Sequence, residues 1–132
     1  MTHHTFRIST RDKTSMQDIT RKVEEVVNRS GVGEGLCNVY IPHTTCGVTI
    51  NENADPSVQR DIDMEINKIV PFQDEYHHME GNSPAHIKAS IMGANVSIPI
   101  SGGRMMLGTW QGIYLCEFDG PRSRSIVISV GD

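Results

Sequence analysis

Four of the six histidines, His43, His77, His78 and His86, fall at element ends or in loops, where side chains from distant segments converge. Histidine is the commonest metal ligand near neutral pH. Three imidazoles, or two and a carboxylate, hold a catalytic zinc while leaving one position open for water or substrate. The spacing itself is no signature: the chain has no HExxH, no HxH and no paired CxxC. The competing reading is a set of solvated or hydrogen-bonded loop histidines.

The carboxylates Glu52, Asp55, Asp61, Asp63 and Glu65 form a second group. Asp55 precedes Pro56 and reads as a helix cap. Asp63 and Glu65 read as a solvated helix face. Glu52 closes a strand one residue after Asn51, and that pair either orients a substrate or caps a turn. A third group is cationic: Arg104, Arg122 and Arg124. A guanidinium fork binds phosphate or carboxylate at two points. Arg122 follows Gly120-Pro121, a turn that aims its side chain. Arg104 reads as a solvated hairpin residue and Arg124 as a charge shielding a strand edge.

The stretch from Gly108 to Arg122 carries the only tryptophan, Trp110, together with Gln111 and Glu117. Polar groups buried without partners cost about 1–3 kcal/mol each, so these need partners. As a regular strand, it puts Gln111, Ile113, Leu115 and Glu117 on one face. Gln111 is then placed to touch a ligand, and Trp110, on the other face, to anchor a core. Glu117 at the strand end either ligates a metal, orients a ligating histidine, or pairs with Arg122.

The elements that position these residues follow from patterning. Residues 5–10 read as a first strand. Thr14-x-x-Gln17 fits a capping box, and Met16, Ile19, Val23, Val26 and Val27 recur at helical spacing up to Gly31. Residues 31–35 are a glycine-rich turn after that helix rather than a phosphate-binding loop. Leu36–Ile41 and Gly47–Ile50 read as strands. Val58, Ile62, Ile66 and Ile69 stripe a helix that Pro71 ends. Residues 72–83 are polar and irregular, and Ser83-Pro84 opens a short helix ending near Gly93. Residues 94–100, 104–107, 109–118 and 125–130 read as strands, with a hairpin turn at Ser101-Gly102-Gly103, in an antiparallel meander. The class is α+β: a mostly antiparallel β sandwich or barrel-like domain with two or three helices.

At 132 residues the chain reads as one domain, 1–132. Its net charge of −4 and lack of a basic block argue against nucleic acid. No apolar run approaches the roughly 20 residues that span a bilayer, and the first residues lack the apolar core of a secretory leader. The expected location is cytoplasmic, with no membrane partner. Cys37, Cys46 and Cys116 then read as reduced, structural residues, Cys46 drawing attention through its closeness to His43.

Several motifs stand together in order: Pro42-His43-Thr44-Thr45, Asn51-Glu52, Asp55-Pro56, Pro84-Ala85-His86-Ile87-Lys88-Ala89-Ser90, Gly108-Thr109-Trp110-Gln111, and Glu117-Phe118-Asp119-Gly120-Pro121-Arg122. On these, and most specifically on Ser97 through Gln111, the chain resembles the YjbQ-like family, often labelled secondary thiamine-phosphate synthase. The resemblance covers essentially the whole chain. It implies a compact α+β domain that assembles as a homotrimer. It also implies a site gathering His43, His78 and His86, with His77 one residue of slippage away.

The label implies joining a pyrimidine diphosphate to a thiazole phosphate with release of pyrophosphate. That reaction asks for a divalent metal (zinc or magnesium) and basic donors for the diphosphate. Imidazoles suit zinc better than magnesium, which prefers oxygen. The expected roles are metal ligation by His43, His78 and His86, catalysis by Glu52, Glu117 and Arg122, and substrate contact by Asn51, Gln111 and Arg122. Two other classes fit the same residues: a metal-dependent hydrolase of a small phosphorylated or acylated metabolite, and a non-enzymatic small-molecule-binding trimer.

Overall fold

Alternation of apolar residues along the strands builds two facing sheets. The computed structural model describes all residues 1–132. In chain order the elements are β1 (Thr2–Ser9), β2 (Ser15–Asp18), α1 (Thr20–Ser30), β3 (Gly35–Tyr40), β4 (Cys46–Glu52), α2 (Pro56–Ile69), α3 (Ser83–Met92), β5 (Asn95–Ser101), β6 (Arg104–Met105), β7 (Gln111–Glu117) and β8 (Ser123–Gly131). One sheet has the order β1-β8-β3-β5-β6 and the other β2-β7-β4, with every pairing antiparallel. The fold is α+β. No helix is long and apolar enough to cross a membrane.

The main core lies between the sheets. Val39 of β3, Val48 of β4, Ile98 of β5, Ile113 and Leu115 of β7 and Ile126 and Ile128 of β8 meet there, and α1 adds Val23 and Val27. A smaller core lies behind β7, where Tyr114 and Cys116 pack with Phe118 against Ile66 of α2 and Ala85 and Ala89 of α3. Strand β7 is thus covered on both faces from Gly112 to Glu117. The period-2 rule explains the split: odd residues face the inter-sheet core and even ones face the helices.

Several local expectations are met. Asp55 caps α2 by accepting from Ser57 N at 2.9 Å, with Pro56 in the first turn. Gly31 ends α1 at φ 72°, the left-handed conformation that favours glycine. Others are corrected. Ser15–Asp18 forms β2 against β7 rather than the start of a helix, and α1 begins at Thr20. The proposed capping box lost to the unpaired edge of β7, which gains a ladder from β2. Asp18 Oδ1 instead accepts from Thr20 N at 2.9 Å and Thr20 Oγ1 at 2.5 Å. The N-cap of α3 is Asn82 rather than Ser83, and the Asn82 side chain makes no cap bond.

The C-terminal strands are not a meander. β5 and β6 form a hairpin, β7 crosses to the other sheet, and β8 returns between β1 and β3. Trp110 is not a core anchor: it precedes β7 in a turn and is 63% exposed. Leu107 and Ile113 take the apolar positions on either side of that turn.

Candidate functional site

Three chain connections meet at one end of the sandwich and enclose a polar cleft of about 450 Å³. The β3–β4 connection supplies Pro42, His43, Thr44 and Thr45, and the α2–α3 connection supplies His78, Glu80 and Asn82. His86 enters from the first turn of α3, Arg122 from the β7–β8 turn and Arg124 from the start of β8. Apart from Pro42 every lining side chain is polar. His43, His78 and His86 therefore share one cleft. His77 is exposed and lies outside it, in a neighbouring groove with His78 and His86.

The three imidazoles differ in what they offer. His43 is half-buried, and its Nε2 accepts from Ser125 N at 2.8 Å. A neutral ring accepting at Nε2 carries its proton on Nδ1, so His43 presents an N–H donor. Burial and then the Arg124 charge lower its pKa, outweighing the opposing effect of Glu117. His43 is therefore neutral at pH 7. The rings of His78 and His86 stand edge to face with centroids 5.3 Å apart. Neither ring has a hydrogen-bond partner within the chain, so their nitrogens are free for a proton, a ligand or a metal. A metal held through His43 as well requires its Nε2 to leave Ser125.

Glu117 and Arg124 form the buried floor. Both are nearly inaccessible, at 0% and 4% exposure. Glu117 Oε1 accepts from Thr10 Oγ1 at 2.7 Å and Arg124 Nε at 2.8 Å. Its Oε2 accepts from Phe118 N at 3.1 Å, Asp119 N at 3.0 Å and Arg124 Nη2. Burial alone pushes the Glu117 carboxyl up. The bonds from Arg124, Asp119 N and Thr10, with the Arg124 charge, prevail and hold it below the usual range. Arg124 Nη2 also reaches Thr45 Oγ1 at 2.8 Å. Arg122 does not pair with Glu117. It is exposed and bonds Asp119 through Nη2 at 2.9 Å.

Sequence patterning places Glu117 correctly in line with Ile113 and Leu115, but Arg124 is no edge shield. The missed signal is the same period on β8: Arg124, Ile126, Ile128 and Val130 all point inward. The β8–β3 and β8–β1 pairings make β8 internal to its sheet. Thr44 and Thr45 of the His43 motif line the cleft too, and so do Glu80 and Asn82, which no motif or periodic pattern in the sequence marks.

Asn51, Glu52 and Gln111 lie elsewhere. Cys46 pairs with Glu117 and Glu52 with Gln111, so these residues sit at opposite ends of the β4–β7 ladder. Six steps of about 3.4 Å separate them by roughly 20 Å. Their side chains close local turns: Asn51 Oδ1 accepts from Glu52 N, Glu52 Oε2 from Ala54 N and Gln111 Oε1 from Gly108 N. The cysteines are all buried and unbridged. Burial pushes Cys37 up to about 11 and Cys46 and Cys116 to about 12, which keeps them as thiols at neutral pH.

The geometry has close counterparts. A family model described as "UPF0047 protein YjbQ-like" matches residues 4–132. The UPF0047 protein YugU of Bacillus subtilis is 47% identical over 127 residues, covering 96% of each chain. A UPF0047 protein of Methanocaldococcus jannaschii is 44% identical over 125 residues, covering 95% of this chain and 91% of the relative. The crystal structure of an uncharacterized conserved protein of the yjbq/upf0047 family from Clostridium acetobutylicum superposes with a TM-score of 0.95 at 48% identity, covering 97% of this chain and 99% of that one. A YbjQ-like protein of unknown function from Sulfolobus solfataricus gives 0.94 at 31% identity, covering 98% and 95%.

Proposed function

We propose that this chain, which belongs to the YjbQ-like UPF0047 family, is an enzyme that hydrolyses a small phosphorylated metabolite in the cleft of His43, His78 and His86. The observation that carries the reading is the convergence of three imidazoles and two guanidinium groups, from three connections and the starts of α3 and β8, on one polar cleft. Donors of this kind, fixed before the substrate arrives, stabilise charge on phosphoryl oxygens. His43 supplies a neutral N–H whose direction is set by the Ser125 bond. His78 and His86 supply the acid and base. One ring, neutral, takes the proton of the attacking water as a P–O bond forms. The other, protonated, hands a proton to the departing alcohol oxygen as the ester P–O bond breaks. General acid–base help of this sort is worth roughly 10²–10⁴-fold in rate.

The same cleft admits a metal-dependent variant of this reading, in which His43, His78 and His86 would have to draw together, because although they line one cleft no three such side chains stand close enough in the structure to hold an ion. Zinc suits nitrogen ligands better than magnesium, and a bound zinc supplies an activated water when present. Joining a pyrimidine to a thiazole phosphate calls for walls that shield a developing cation from water. The polar lining supports that reaction less well than it supports phosphate recognition, which both reactions share.

Self-association as a homotrimer belongs to the proposal. Asn51, Glu52 and Gln111 reach an imidazole cleft only if it belongs to another copy, and Trp110 stands exposed beside them.

The test is a panel of phosphorylated and acylated metabolites incubated with untagged protein, with and without chelator, followed by phosphate and acid assays and elemental metal analysis. Phosphate release that survives chelation and falls at least 100-fold in His86→Gln supports the acid–base form. Release abolished by chelator and restored by zinc supports the metal form. No phosphate release from any member, with the protein folded, refutes the hydrolase.

A further inference from the structure

Resting on the reading of the cleft as a phosphate-ester site, we propose that Arg124 grips the phosphate, that Glu117 positions Arg124, and that Asn82 selects esters carrying a hydroxyl or amine beside the phosphate. The first part follows from counting donors. Arg124 spends Nε on Glu117 Oε1 and Nη2 on Glu117 Oε2 and Thr45. Its Nη1 has no partner within the chain, although the residue is 96% buried by its 4% exposure and borders the cleft. A guanidinium locked on two of its nitrogens has already lost its rotational freedom. The third nitrogen is then a directed, permanently charged donor aimed at whatever fills the cleft. Arg122 is a poorer anchor, because it is exposed and its Nε and Nη2 are tied to Asp119 O and Oδ2.

Glu117 has no capacity left for substrate. Its two oxygens accept from five donors. It is a positioning residue and not a catalytic one.

Asn82 gives the selectivity. Its Nδ2 donates to Asp119 Oδ2 at 3.0 Å, which fixes the orientation of the amide. Its Oδ1 is then a buried acceptor without a partner, on a residue that borders both the cleft and the smaller pocket of Phe72 and Phe118 beside it. A buried acceptor left unpaired is costly, so a ligand supplying an O–H or N–H there is favoured over one that does not. Phosphate next to a hydroxyl or amine meets both demands at once.

Three probes test this on the full chain: inorganic phosphate, methyl phosphate, and glycerol 1-phosphate, which adds hydroxyl groups. In ¹⁵N-arginine spectra of the wild-type protein, the Arg124 guanidinium signals are expected to shift on phosphate titration to saturation, with Arg122→Lys used to assign the Arg122 signals. Arg124→Lys is expected to weaken phosphate binding at least tenfold and Arg122→Lys by less than threefold. Because Arg124→Lys strains a buried pair, the double variant Glu117→Met/Arg124→Met, which removes both charges, repeats the measurement and is also expected to lose at least tenfold.

Wild-type protein is expected to bind glycerol 1-phosphate at least threefold more tightly than methyl phosphate, and Asn82→Ala to erase that difference. Phosphate saturation with unmoved Arg124 signals, or a larger loss in Arg122→Lys than in Arg124→Lys, overturns the Arg124 assignment while leaving the phosphate site standing. Equal affinity for the two esters overturns the Asn82 assignment. Failure of wild-type protein to bind any of the three probes refutes the parent reading itself.

Discussion

Replacing Glu117 with Gln isolates the buried floor of the cleft with a change of one atom. The carboxylate receives five hydrogen bonds, two of them from Arg124, and is fully inaccessible. An amide has one acceptor oxygen and one NH₂. Turned one way, its NH₂ confronts the N–H groups of Phe118 and Asp119 and Arg124 Nη2. Turned the other way, it confronts Arg124 Nε and Thr10. The second arrangement is the milder, since the two backbone bonds survive and a hydroxyl can turn round to accept.

Even so, a buried guanidinium loses its counter-charge. Breaking a buried ion pair from one side costs about 3–5 kcal/mol, and the surviving bonds put this variant near the lower end, about 3 kcal/mol. That is a large share of a net stability of roughly 5–15 kcal/mol. For a chain of this size it corresponds to a fall in Tm of about 10 °C. The matched control is Arg122→Lys, which alters an exposed pair worth about 0–1 kcal/mol. Urea unfolding of both variants at pH 7 provides the measurement. A loss below about 1 kcal/mol for Glu117→Gln, or equal losses in the two variants, refutes the claim that Arg124 and not Arg122 is the structural partner of Glu117.

Further outcomes follow from the same structure. Stability is expected to be flat near pH 7–8 and to decline on acidification in two steps. Below about 6.5 the unfolded chain takes up a proton that His43, with its lowered pKa, still refuses. Below about 4.3 the unfolded carboxyls protonate before Glu117 and Asp119, whose folded values are held low by their bonds, so the stability these contribute above that pH is lost. A urea midpoint that rises as the pH falls from 7 to 5 would contradict the first sign, and one that rises from pH 4.5 to 3 the second. Trp110→Ala is expected to change the stability of the isolated chain by no more than about 0.5 kcal/mol, as for other exposed positions. A loss near the roughly 3–5 kcal/mol of a core tryptophan returns it to the interior. Light scattering is expected to give three times the chain mass at micromolar concentration, and a monomer there counts against the trimer.

Much of this chain was legible in its residues alone. The α+β class, the Asp55-Pro56 start of α2 and the Gly31 stop of α1 rest on interactions within a few residues, and short-range chemistry decides those. The sharing of one cleft by His43, His78 and His86 is readable from their places at element ends and from the family motifs, with only the choice of His78 over His77 left to the fold. Tertiary pairing decided the rest. Whether residues 15–18 coil or extend depended on an open edge of β7, more than 90 residues away in sequence, which no local pattern reports. Trp110 reads as core in the sequence because tryptophan usually is, yet one residue of strand boundary leaves it in a turn.

The histidines' separate roles were equally out of reach, because only the fold brings Ser125 N to His43 Nε2 and leaves His78 facing His86. The sharpest case is the arginine pair. Alternation along β8 puts Arg124 in register with three core residues. That alternation tells inside from outside only once β1 and β3 flank β8 on both sides. Closure of the two sheets then buries its charge against Glu117 and leaves Arg122, two residues earlier, in water.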